Sequence, residues 1–157
     1  MGEHHPALAP ADAQALAERV ARKMYERDGA SQGLGLRVVR VAPGRAEVAM
    51  TVRTDMLNGH AICHGGFIFT LADSAFAYAC NSYNLTTVAS GCAIDFLAPA
   101  REGDLLTAVA HERSASGRTG VYDIEINNQR GEKIALFRGK SYRIKGHVID
   151  SPPGPPG

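Results

Sequence analysis

The sequence lacks an excess of charge of either sign, and this excludes one class of partners. Seventeen lysine and arginine residues stand against sixteen aspartate and glutamate residues, which leaves a formal charge of +1. A chain so nearly neutral has no overall basic field to hold nucleic acid or an anionic membrane. We therefore expect neither as a partner.

A long apolar run is also missing. The longest apolar stretch, residues 66–80, is interrupted by Thr70, Asp73 and Ser74, and no apolar segment follows a basic start. A membrane-spanning helix needs about 20 mostly apolar residues, and a secretory leader needs a basic start before its apolar region. We expect a cytoplasmic protein that is neither exported nor inserted into a membrane.

Cysteine is scarce, and no metal-binding spacing occurs. Cys63, Cys80 and Cys92 are odd in number and far apart, and the close pair His60 and His64 lies among glycines. Zinc sites usually need CxxC pairs or histidines spaced along a formed helix. We expect reduced thiols without a disulfide, and no bound metal.

The composition that remains is that of one globular domain. The chain has 157 residues, of which 45% are hydrophobic and 21% charged, as is usual for a single domain. We assign residues 10–146 to it. Residues 1–9 and 147–157 lack periodic patterns, and the final SPPGPPG cannot sustain a helix or strand. We expect both ends to be disordered.

Hydrophobic periodicity predicts an α+β fold. Apolar residues spaced by four predict a helix over residues 10–28, which Gly29 ends. Residues 67–80 are apolar on nearly every helical face, which predicts a helix enclosed on all sides. Strands are expected at residues 34–41, 45–53, 87–97, 104–113, 119–128 and 133–144. This order describes an antiparallel sheet curled round one helix.

The glycine-rich residues 58–66, NGHAICHGG, lead into the enclosed helix. Glycines allow another molecule to approach the backbone closely, and the first turn of a helix presents unpaired N–H groups with partial positive charge. Such a helix start can bind a carbonyl oxygen as negative charge builds up on it. Alternatively, Gly65 and Gly66 only permit a tight turn into the helix.

Asp73 lies in the middle of the apolar helix, where an unpaired carboxylate is costly to desolvate. It serves either as a hydrogen-bond acceptor for a strand or for Ser74, or as a catalytic base or nucleophile with a perturbed pKa. We favour the catalytic role. Nine residues separate Asp73 from His64, roughly 13 Å along a helix axis. A shared site therefore needs Asp73 from a second copy of the chain, with two helices antiparallel across a two-fold axis.

Two further side chains are weaker candidates. Cys63 is next to His64, but sequence neighbours usually point apart, and a small buried cysteine is common. Ser90 could face the site from a strand, and its role stays open.

The segments NGHAICHGG, FTLADSAFAYACN, SGCAIDFLAPA and TGVYDIEI resemble the PaaI-type thioesterases of the hotdog superfamily. The resemblance runs over residues 24–144. It implies a hotdog fold, in which an antiparallel sheet wraps a long helix, here with an additional N-terminal helix. It also implies a homodimer that joins two sheets edge to edge and forms the active site, commonly paired again into a tetramer.

The resemblance implies roles for the matching residues. Asp73 attacks the thioester carbonyl or activates a water, and the Gly65 N–H binds the carbonyl oxygen. Asn58 and His64 help to orient the carboxylate or the loop. Gly66 is small enough to let the helix start lie near the substrate.

The implied reaction is the hydrolysis of acyl-CoA, with phenylacetyl-CoA and its ring-hydroxylated relatives as substrates in phenylacetate catabolism. No cofactor is expected beyond the coenzyme A of the substrate. We place Gly66, Ser90, Arg138 and Lys140 at the substrate. The two cations on the last strand could meet the coenzyme A phosphates, although ordinary solvated strand charges explain them equally well.

Two other functions stay open at the level of sequence. One is a hydratase or dehydratase of acyl thioesters, which would use a paired histidine and acid. The other is a binding module for acyl-CoA without turnover. Release of an enoyl product without free thiol would favour the first, and saturable binding without hydrolysis would favour the second.

Overall fold

The alanine-rich first segment forms the predicted helix. Helix α1, Pro10–Arg27, begins with a proline in its first turn and buries Ala17, Val20 and Ala21. Proline is favoured there because its missing N–H would have no helical partner. Asp28 then breaks the helix and caps a short helix α2, Gly29–Gly33, by accepting from the Ser31 N–H. A helix of five residues is too short to show a period, so the sequence did not reveal it.

Six strands form one sheet in which every neighbouring pair is antiparallel. They are β1 Arg37–Ala42, β2 Arg45–Thr51, β3 Thr87–Phe96, β4 Leu105–Ser116, β5 Thr119–Asn127 and β6 Lys133–Arg143. The order across the sheet is β1-β2-β4-β5-β6-β3. All six predicted strands are present. The expected turn at residues 114–118 is shorter, because β4 continues to Ser116.

Helix α3, Gly65–Cys80, packs across this sheet and supplies much of the core. Its approach to β6 is close, because a methyl group at Gly139 would lie only 2.8 Å from Cε1 and Cζ of Phe76. The Phe76 ring also packs on Tyr122 and Phe137, with centroids 5.5 and 6.1 Å away. The sheet-facing side of α3 buries Ile68, Leu71, Ala72, Ala75, Phe76, Tyr78, Ala79 and Cys80.

The prediction that this helix is enclosed on all sides is wrong for a single chain. Gly66 is exposed, and Thr70, Asp73 and Ala77 are only half-buried. Side chains three and four residues apart share one side of a helix. These four residues therefore form a stripe, here named the open face, that the sheet of the same chain does not cover.

The structure is a computed structural model, and it describes residues 7–150. Residues 1–6 and 151–157, which belong to the predicted disordered ends, lie outside this range. Part of the expected tail is held by Asn84, whose side chain accepts from the Ile149 N–H at 2.8 Å and donates to the Ile149 carbonyl at 2.9 Å. Among the described residues, no helix is long and apolar enough to cross a membrane.

Candidate active site

The loop before α3 is shaped by Asn58. Its side-chain oxygen accepts from the N–H groups of His60 at 2.9 Å and Ile62 at 3.4 Å, and its backbone N–H donates to the Ile62 carbonyl. The loop closes with a bridge between Leu57 and Cys63. Asn58 thus holds the segment that delivers the chain to the helix start. In one chain its bonds are to the loop and not to Asp73.

His64 caps the helix with its side chain. It has extended backbone angles, φ −61° and ψ 132°, and its Nδ1 accepts from the Gly66 N–H at 3.1 Å. Histidine is an unusual residue at this position, where serine, threonine, asparagine and aspartate are preferred. Since Nδ1 accepts, a neutral His64 carries its proton on Nε2.

The cap leaves one particular donor unpaired. The first N–H groups of a helix have no helical acceptor, and His64 satisfies that of Gly66. The N–H of Gly65 finds no acceptor among residues 7–150. It is therefore the donor available to a ligand at the start of α3, at the position that the sequence predicted.

The ring of Phe96, at the end of β3, lies against Gly65. A methyl group at Gly65 would be 2.9 Å from Cζ and 3.3 Å from Cε1 of this ring. Phe96 is nevertheless 53% exposed. The free N–H is thus flanked by an open aromatic surface. The sequence reasoning missed this residue, because alternation along a strand does not tell which side chain reaches a given turn of a helix.

Asp73 lies on the open face, half-buried. Burial raises the pKa of its carboxyl group, and no hydrogen bond or neighbouring charge within the described chain opposes that effect. The structural alternative raised by the sequence, a bond to Ser74 or to a strand, is not observed there. The Ser74 hydroxyl instead lies 3.5 Å from the Ser31 hydroxyl.

The cysteines differ in exposure. Cys63 and Cys80 are buried and Cys92 on β3 is exposed. Burial raises the pKa of Cys63 to about 11, which disfavours the thiolate that a nucleophile requires. Burial and the nearby charge of Asp73 also raise the pKa of Cys92. The Cys63 alternative therefore gains no support. Among the described residues, no group of three or more His, Cys, Asp or Glu side chains could hold a metal.

Two of the predicted substrate residues on the strands form hydrogen bonds within the sheet. Ser90 lies at a bulge in β3, and its hydroxyl donates to the Lys140 carbonyl at 3.1 Å. Arg138 donates to both carboxylate oxygens of Asp123, at 2.7 and 2.9 Å, and this lowers the pKa of Asp123. Arg138 and Lys140 are exposed and alternate with buried residues that face α3. The two cations therefore lie on the outer side of the sheet.

Gly65 and Asp73 belong to one unbroken helix, and this fixes their separation. Eight residues along α3 correspond to about 12 Å of axial rise. An aspartate side chain is far too short to span that distance. A single chain thus presents a carbonyl-binding donor and a carboxylate that cannot act on the same carbonyl group.

Sequence comparisons identify relatives of this chain. Residues 60–135 match the family model described as the thioesterase superfamily. Over 128 residues the chain is 56% identical to the acyl-coenzyme A thioesterase PaaI of Escherichia coli strain K12, covering 82% of this chain and 91% of that protein.

Solved structures agree with the predicted fold. The Escherichia coli PaaI protein from the phenylacetic acid degradation operon superposes with a TM-score of 0.85 at 53% identity, covering 86% of this chain and 98% of that one. A variant of the phenylacetic acid degradation protein PaaI of Thermus thermophilus gives 0.72 at 42% identity, over 74% and 100% of the two chains. A thioesterase from Streptococcus pneumoniae, solved with coenzyme A, gives 0.68 at 25% identity, over 71% and 87%.

Proposed function

Because this chain belongs to the PaaI-type family of the thioesterase superfamily, we propose that it hydrolyses acyl-CoA thioesters in phenylacetate catabolism. Phenylacetyl-CoA and its ring-hydroxylated relatives are the proposed substrates. The proposal rests on two groups of α3 that have no partner among the described residues. One is the N–H of Gly65, and the other is the carboxylate of Asp73. These are the groups that acyl transfer requires.

The active site is proposed to lie between two copies of the chain. Two α3 helices that cross antiparallel through their open faces would bring Asp73 of each chain to Gly65 of the other. The strand order supports this arrangement, because β3 is an edge of the sheet with exposed side chains, whereas the other edge, β1, packs against α1. Pairing of two β3 edges would extend one sheet across the dimer. A further pairing of dimers into a tetramer is part of the proposal.

Hydrolysis in this site uses two groups from different chains. The thioester carbonyl oxygen accepts from the Gly65 N–H, which stabilises the negative charge that develops there. Asp73 of the other chain either attacks the carbonyl carbon or takes a proton from an attacking water. The C–S bond breaks, and coenzyme A leaves as a thiolate and is protonated. The oxygen of one water ends in the released acid or, if an anhydride with Asp73 forms first, in the acid or the Asp73 carboxylate.

The two roles of Asp73 are distinguishable by isotope labelling. If Asp73 is the nucleophile, an acyl anhydride forms, and water that attacks its Asp73 carbonyl leaves one solvent oxygen in the carboxylate. A single turnover in oxygen-18 water then labels Asp73. If Asp73 is a base, all of the label appears in the product acid.

Coenzyme A esters and three unpaired cysteines both suit a cytoplasmic location, which we propose for this enzyme. Lys140 is the more available of the two predicted phosphate contacts, because Arg138 is held by Asp123. No resident cofactor is proposed, since the coenzyme A moiety enters and leaves with the substrate.

The direct test is incubation of the purified protein with phenylacetyl-CoA while free thiol is measured. We expect stoichiometric release of coenzyme A and phenylacetate. Saturable binding of acyl-CoA without thiol release across aromatic and straight-chain substrates would reject hydrolysis and leave a binding module. Formation of an enoyl thioester from a hydroxyacyl-CoA would indicate a dehydratase instead.

A further inference from the structure

Strand β3 runs alongside α3 in the opposite direction, as two separate contacts show. Phe96, at the end of β3, touches Gly65 at the start of the helix. Cys92, earlier in the strand, pairs with Gly139, which lies against Phe76 in the second half of the helix. Four strand residues span about 13 Å, and the eight helix residues from Gly65 to Asp73 span about 12 Å. The strand and the helix therefore run antiparallel over a similar length.

The β3 side chains on the helix side of the sheet are Cys92, Ile94 and Phe96. They pair across the ladder with Gly139, Phe137 and Ala135 of β6, which are buried beneath α3. Opposite Phe96 stands the small side chain of Ala135. The ring therefore rests on Gly65 and leaves 53% of its residue surface exposed.

We propose that Phe96 is a specificity-determining residue, whose ring forms the wall of the acyl pocket beside the Gly65 N–H. The inference rests on the proposed function and names the part of the substrate that this wall contacts. A carbonyl oxygen bound to that N–H at about 2.9 Å brings the attached acyl group within van der Waals reach of a ring that touches the same residue.

The chemistry of the ring favours the acyl group over the coenzyme A arm. Pantetheine carries two amides and leads to phosphates, whereas a phenylacetyl group is apolar and ends in an aromatic ring. Aromatic pairs gain stability from edge-to-face or offset stacking in addition to the area they bury. Asp73 and Cys92 of the other chain would lie on the opposite side of the carbonyl, so the acyl pocket is built from both chains.

The test compares Phe96→Ala and Phe96→Leu with the matched control Leu97→Ala, which alters a neighbouring residue that is also 53% exposed. Two quantities are measured for each variant: the KM for phenylacetyl-CoA and the inhibition constant of free coenzyme A, which has no acyl group. We expect Phe96→Ala to raise the KM about tenfold and to leave the inhibition constant within about twofold. Phe96→Leu should fall between, and Leu97→Ala should resemble the parent protein.

Each other outcome overturns the inference. If Phe96→Ala raised the KM for phenylacetyl-CoA and the inhibition constant of coenzyme A equally, the ring would contact the coenzyme A arm. If neither constant changed, the ring would lie outside the pocket. Loss of the oligomer in Phe96→Ala, measured by size-exclusion chromatography, would make the ring an interface residue. A parent protein that binds coenzyme A but releases none from any acyl-CoA would instead reject the proposed function.

Discussion

His64 and Gly65 divide the hydrogen bonding at the start of α3. The imidazole occupies the Gly66 N–H, and the Gly65 N–H is left for a ligand. The backbone of His64 and Gly65 also allows a proline at position 65. His64 is extended, as a residue before proline must be, and Gly65 is the first helical residue, where proline is tolerated.

Gly65→Pro should therefore remove the donor while the helix remains. We expect kcat with phenylacetyl-CoA to fall about 10²- to 10³-fold. The control is Gly65→Ala, which keeps the N–H and adds a methyl group that only has to displace the exposed ring of Phe96. The kcat of both variants is measured by steady-state kinetics with phenylacetyl-CoA. Equal activity in the two would show that the Gly65 N–H does not bind the reacting oxygen.

Asp73→Asn should abolish most activity without loss of fold. We expect kcat to fall at least about 10²-fold, because the amide can neither attack nor accept the proton. Burial raises the pKa of Asp73, so its carboxyl group favours folding only below its unfolded pKa, and that contribution is lost as the pH rises through the folded pKa. At neutral pH the charged side chain costs stability, and Asp73→Asn should unfold at the same or a higher temperature. Full activity in this variant would refute the assigned role.

The pH dependence of the parent enzyme follows from the same burial. The carboxylate is the reactive form of Asp73 in either role, so kcat/KM should decline as the pH falls through its pKa. Because that pKa is raised, the midpoint of the acid limb should lie above about 3.9, the ordinary value for aspartate. An acid limb at or below that value, in a profile recorded with phenylacetyl-CoA, would disagree with a buried catalytic carboxylate.

The sequence was enough to single out Gly65 and Asp73 as candidates, because each breaks a local pattern. A carboxylate inside an apolar helix and a glycine pair before it are visible without a structure. The cap made by His64 and the contact of Phe96 with Gly65 were not visible, since both depend on side-chain directions and on the position of β3 beside α3.

At the level of elements, α3 and β6 pack so closely that only glycine fits at position 139. The nearest atoms of Phe76 would be 2.8 Å from an added methyl group, and the ring is itself held by Tyr122 and Phe137. This contact sets the distance between the helix that carries Asp73 and the sheet that carries Phe96. The site geometry therefore depends on a packing contact away from the chemistry.

Gly139→Ala should overpack this contact and lower the free energy of unfolding by about 1–3 kcal/mol. The matched control is Gly33→Ala in α2, where an added methyl group meets no atom within 4 Å. Urea denaturation of both variants at one protein concentration gives the comparison. Equal free energies of unfolding for the two variants would mean that the Phe76 ring moves aside more easily than its packing against Tyr122 and Phe137 implies.

Periodicity predicted the helices and strands to within a few residues, with the exception of α2. It failed at the face of α3 that carries Thr70 and Asp73, which is open in the chain. The apolar pattern of the helix as a whole cannot distinguish burial by the same chain from burial by a second one. The open face at Gly66, Thr70, Asp73 and Ala77 is the part of the helix that we propose a second chain covers.

For the whole molecule, the order of the strands in the sheet could not be predicted from the sequence. The strand β3 follows α3 along the chain yet pairs with β6 at the far edge of the sheet, and such pairing rests on contacts between distant segments. The position of β3 at the edge of the sheet also matters for function. An uncovered β3 edge and an open helix face lie side by side, and we propose that a second copy of the chain covers both.

Subunit complementation shows whether the two groups of one site come from different chains. Gly65→Pro and Asp73→Asn chains are coexpressed with different affinity tags, and the mixed oligomers are assayed with phenylacetyl-CoA. If each site takes Gly65 from one chain and Asp73 from the other, every mixed dimer regains one of its two sites and about half of the parent activity. A control pairs the parent chain with the double variant, whose mixed dimers should be inactive. Inactive complemented dimers, together with half-active control dimers, would contradict the account and place both groups of each site in one chain.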